Sequence, residues 1–141
     1  MSKTGSTAAL TRTIENAVIA RLVASYTAAR RENDERRKDF NRRMEEYQAG
    51  NRSNNFQPFR EVYPFVEVFS LLQTVRGAVS ATSEAELFTV ELFNRTLKQM
   101  ERAGILCFMD SDGYGRNDSI AFSKQAEEAH MSCDVADKAL V

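Results

Sequence analysis

The chain has 141 residues, 43% of them hydrophobic, with a formal net charge of −1. That size fits one domain, or one domain with an extension, and the apolar content excludes wholesale disorder. No apolar run approaches the ~18–20 residues needed to cross a bilayer, and "MSKTGSTAAL" at the start lacks the apolar core of a secretory signal. Cys107 and Cys133 show no framework spacing, so reduced thiols, a cytoplasmic location and no membrane partner are expected. Residues 1–60 hold 12 Lys/Arg against 7 Asp/Glu, and residues 61–141 hold 7 against 13. A basic front and an acidic back point to nucleic acid or an acidic partner for the front, or to contact between two copies.

From Leu10 to about Gln48 there is no Gly or Pro. Leu10, Ile14, Val18, Leu22, Tyr26 and Ala29, then Phe40, Met44 and Tyr47, recur at steps that share a helix face. Gly50 supplies a stop. A helix of that length exceeds what a small domain covers. Leu10, Ile14, Val18, Leu22 and Tyr26 are therefore expected at a homodimer interface of coiled-coil type, with 1–49 acting as a dimerisation and basic element. Its middle, "RRENDERRKD" at 30–39, is polar all round. It reads as a solvated section with i,i+4 pairs such as Glu32 with Arg36. It also reads as a phosphate-contacting stripe of Arg30, Arg31, Arg37 and Lys38, or as a hinge. Residues 50–63 form an irregular linker whose Phe56 and Phe59 are expected to pack on the domain that follows.

Pro64 suits a first helical position, and Phe65, Val68, Phe69, Leu72, Val75 and Val79 continue with helical spacing, which predicts a helix over 64–79. Ser83 with Glu86 forms a capping-box pattern for a short helix. Thr89 can cap a third helix, running to Ala103 and closed by Gly104, with Phe93, Thr96, Leu97 and Met100 facing inward. "ILCFM" (105–109) and "SIAFS" (119–123) read as two strands of a hairpin. The tail from Lys124 reads as a short helix with Ala126, Ala129, Cys133 and Leu140 on one side, completing the 124–141 segment.

This order of elements, and "NRTLKQMERAGILCFMD" with its returning strand in particular, resembles the winged helix-turn-helix superfamily over 64–123. The fold expected is mainly α with a small β-hairpin, a long N-terminal helix preceding the winged domain. The resemblance implies that the third helix enters the DNA major groove. Its outward side holds Glu91, Arg95, Lys98, Gln99 and Arg102. Arg95 and Gln99 are then the base readers, since Arg matches guanine O6/N7 and Gln matches adenine. Lys98 and Arg102 fall to phosphates.

The loop "DSDGYGRND" has a superficial calcium-loop look, but Tyr114 and Ala121 stand where ligands are required. It reads as a solvated hairpin tip, or as a tip whose Tyr114 and Arg116 touch a phosphate or a protein. His130 and Cys133 lie three apart without further ligands, and no phosphate-cradling Gly motif is present. No enzyme, metal or cofactor is expected. Two functions fit. One is a small dimeric DNA-binding protein, a transcriptional regulator or a phage or plasmid accessory protein acting on double-stranded DNA. The alternative is a winged-helix protein–protein interaction module, an adapter or inhibitor subunit.

Overall fold

The computed structural model describes residues 6–50, 59–110 and 117–131. The elements, in chain order, are α1 (Ser6–Gln48), β1 (Val66–Glu67), α2 (Val68–Ser80) and a single 3₁₀ turn (Ala85–Leu87). They continue with α3 (Val90–Arg102), β2 (Leu106–Met109), β3 (Ser119–Phe122) and α4 (Lys124–Met131). The protein is mainly helical with one small antiparallel sheet in the order β1-β3-β2. The chain divides into two compact units: one joins the residues up to Ala24 with those from Phe65 onward, and the other is Ser25–Pro64. Helix α1 contributes to both.

In the first unit, β3 is the central strand. It pairs with β2 through Leu106–Phe122 and Phe108–Ile120, and with β1 through Val66–Ile120 and Glu67–Ser119. All four of its residues are buried, and Ser119 and Ile120 have a strand on either side. The expected hairpin is therefore part of a three-stranded sheet. The helix expected to begin at Pro64 instead begins at Val68, because Val66 and Glu67 are taken up as a strand. The Val68 N–H continues the tie by donating to the Asp118 carbonyl at 2.8 Å. Of the expected stripe only Val75 and Val79 are buried; Val68 and Leu72 are half-buried, Phe65 and Phe69 are exposed, and Leu71 takes the inward position instead, which corrects the expected face.

The placing of the α1 stripe at a dimer interface is corrected. Leu10, Ile14, Val18 and Leu22 are each fully buried within a single chain, and Tyr26, in the second unit, is 6% exposed. The apolar stripe is part of the chain's own core, so these side chains offer no surface to a second copy. Burying a Leu or Ile side chain stabilises by roughly 1.5–3 kcal/mol, and four such residues make the first turns of α1 a principal core element rather than an appendage. The compact unit thus reaches back well before residue 64, where the sequence resemblance began.

The second unit has its own internal ties. The Asn33 side chain accepts from the Val62 N–H at 2.6 Å and donates to the Val62 carbonyl at 3.1 Å. Arg36 donates to the Arg60 carbonyl at 3.1 Å. Phe59 packs edge-on to Phe40 with ring centroids 6.0 Å apart. The expectation that Phe59 would pack on the following domain is thereby corrected: its partners lie on α1. Phe56 lies outside the described residues. Helix α1 ends as expected, with Gly50 at φ +107°, a conformation that glycine adopts without steric cost.

Candidate nucleic-acid interface

Helix α3 is fixed at both ends by local chemistry. At its start, Thr89 Oγ1 accepts the Leu92 N–H at 3.0 Å, relieving one of the unpaired donors of the first turn. At its end, Gly104 takes φ +77°, its N–H donates to the Glu101 carbonyl, and the Ile105 N–H reaches back to Met100, both at 3.0 Å. That paired closure is a Schellman motif, and it turns the chain directly into β2. The short helix expected before α3 is not α-helical. The Ser83 hydroxyl bonds the Glu84 carboxylate instead of capping, and only the 3₁₀ turn forms.

One face of α3 holds Phe93, Thr96, Leu97 and Met100, all buried. The Thr96 hydroxyl is satisfied by donating to the Leu92 carbonyl at 2.8 Å, so its burial leaves no orphaned polar atom. The opposite face is open: Glu91, Arg95, Lys98, Gln99 and Arg102 are all exposed. Steps of four, three and four place Glu91, Arg95, Lys98 and Arg102 within about 60° of one another around the helix axis. Gln99 stands to one side of that row. An α-helix with side chains is about 10–12 Å across, close to the ~12 Å width of the DNA major groove.

Three side chains of the row have partners within the protein. Arg95 Nη2 lies 3.7 Å from Glu91 Oε1. Lys98 Nζ sits over the Phe108 ring of β2, 4.6 Å from its centroid. Glu91 was not among the expected contact residues, although its spacing already placed it on the row; its negative charge, the same sign as a phosphate, hid it.

The remaining expected contacts are scattered. Tyr114 and Arg116 lie outside the described residues, as does the tip of the β2–β3 loop. In the second unit, Arg31 and Lys38 are exposed and Arg30 is half-buried. Arg37 lies 3.7 Å from both Asp34 and Glu61, with its guanidinium 5.3 Å from the Phe59 ring centroid. Glu32 and Arg36 make the expected i,i+4 pair at 3.4 Å. Farther along α1, Asp39 receives Arg42 at 2.6 Å and Arg43 at 3.0 Å. The Arg42 hydrogen bond, aided by the charges of Arg43 and Arg42 and opposed by lost hydration, holds the Asp39 carboxyl below its ordinary value. Much of the positive charge of this stretch is thus matched by carboxylates beside it.

On α4, Ala126 is buried as expected but Ala129 is exposed, while Cys133 and Leu140 lie outside the described residues. His130 stacks on Phe122, centroids 5.2 Å apart and rings inclined by 10°. Cys107 is exposed on β2. Among the described residues no helix is long and apolar enough to cross a membrane. No family model, curated protein or solved structure matches the chain.

Proposed function

We propose that the protein is a DNA-binding module of winged helix-turn-helix type, with α3 in the major groove and the β2–β3 connection over the flanking backbone. The succession of α1, β1, α2, α3, β2 and β3, with β1 beside β3 and β3 beside β2, supports that arrangement. The observation that carries the reading is the exposed row Arg95, Lys98 and Arg102, set opposite the buried Phe93, Leu97 and Met100. A helix with this division is anchored by one face and presents cations with the other. Regulation of transcription, or an accessory role on phage or plasmid DNA, in the cytoplasm, is the corresponding biological setting. With Leu10, Ile14, Val18 and Leu22 internal, two copies addressing two half-sites would join through another surface.

The second reading, a protein-docking module, draws on the segment before α3. Leu87 and Val90 are 45% and 43% exposed, and Phe69 on α2 is 74% exposed, with Glu84, Glu86 and Glu91 interspersed in the same stretch of chain. A basic amphipathic segment would suit such a surface.

Binding of the full chain to random duplex DNA at several salt concentrations separates the two. Three or four neutralised phosphates give a slope of about −3 for log K against log salt. Absence of binding at low salt leaves the docking reading.

A further inference from the structure

The row on α3 opens with a carboxylate, which has no place against a phosphate backbone. Glu91 is the second residue of the helix, and its side chain is 85% exposed. Arg95, one turn on, is 62% exposed with its Nη2 3.7 Å from Glu91 Oε1. A solvated pair of this kind is weak and exchanges readily for better partners. In groove-reading helices it is the N-terminal residues that reach base edges, so Glu91 and Arg95 meet the bases ahead of Lys98 and Arg102.

The major-groove edge of a G·C pair runs acceptor, acceptor, donor: guanine N7, guanine O6, then the cytosine N4 amine. A guanidinium fork beside a carboxylate is the complement of that sequence. Two N–H groups face the two acceptors, and a carboxylate oxygen faces the amine. An A·T edge runs acceptor, donor, acceptor, which sets one arm of the fork against a donor.

We propose that Glu91 and Arg95 together read one G·C base pair, Arg95 donating to guanine O6 and N7 and Glu91 accepting from cytosine N4. The assignment rests on the DNA-binding reading and adds its sequence preference. Glu91 acts by exclusion as well as by contact. Over any edge without the amine, its charge is desolvated near phosphates without a partner, so it weakens binding to every other sequence.

The test uses the full-length protein. Duplexes selected from a randomised pool by the wild type supply the preferred site, which is then made with all four base pairs at each position. Dissociation constants are measured for the wild type, E91A and R95A. The expected result is one G·C position at which both variants lose discrimination by about fivefold or more. E91A should at the same time bind the unselected pool at least as tightly as the wild type, which loss of a merely structural residue would not produce. E91A that discriminates like the wild type throughout, or variants that relax two different base pairs, overturns the proposal. Duplex binding without enrichment of any sequence also overturns it while leaving the DNA-binding reading intact. No duplex binding at low salt removes both.

Discussion

The Asn33 side-chain amide holds both backbone groups of Val62, accepting its N–H at 2.6 Å and donating to its carbonyl at 3.1 Å. Two bonds from one side chain fasten an otherwise irregular stretch to α1. Asn33→Ala removes both and leaves the Val62 N–H and carbonyl to find water. A loss of about 1–2 kcal/mol in local stability is expected. Amide hydrogen exchange at Val62 checks it, since protection there should fall while protection in β3 stays constant.

Ile14 is fully buried. Ile14→Ala should lower the unfolding free energy by about 2–5 kcal/mol through lost burial and the cavity left behind. Because the cavity lies within one chain, the loss should be the same at every protein concentration; a loss that appears only at high concentration would return this stripe to an intermolecular role.

Gly104 closes α3 at φ +77°. A Cβ placed there would meet only Gln125 Oε1 at 3.9 Å, an ordinary contact. Gly104→Ala should therefore cost about 1 kcal/mol from backbone conformation alone. Denaturant unfolding measures it, and a much larger loss would mean that the turn into β2 is crowded.

Asp39 titrates below its ordinary value of 3.8 because Arg42 donates to it. A carboxyl lowered in this way contributes its stabilisation in full above the ordinary value, and the contribution is lost as pH falls through the lowered folded value. Neutral pH therefore leaves it intact. Arg42→Ala should move the Asp39 titration, followed by carboxyl carbon NMR, back upward. No upward movement would exclude the Arg42 hydrogen bond as the cause.

Some elements were readable from local pattern alone. In α3 the buried spacing of Phe93, Thr96, Leu97 and Met100 coincides with a cap at Thr89 and a stop at Gly104, so three independent signals agree. Strand β1 carries no such signal. It is two residues long, and Val66 and Glu67 become a strand only because Ile120 and Ser119 are there to pair with them. No window around residue 66 contains that information. The stripe from Leu10 to Leu22 illustrates a different limit: periodicity identifies a buried face without naming what buries it. At Ser83, two hydroxyl partners competed, and the adjacent Glu84 carboxylate prevailed over the backbone. The exposed row of α3 was legible for its cations, whereas Glu91 acquires meaning only beside Arg95.

The burial of the α1 stripe also bears on truncation. Removing residues 1–50 would strip Leu10, Ile14, Val18 and Leu22 from the interior, so a shortened chain would report on unfolding rather than on oligomeric state.

The first unit takes its opening helix from the beginning of the chain, its edge strand from the middle and its central strand from near the end. During synthesis, the apolar side of the opening helix emerges before any of the residues from Phe65 onward that share its unit. Chaperone engagement in that interval, and sensitivity of yield to translation speed, follow from the order in which the pieces are made.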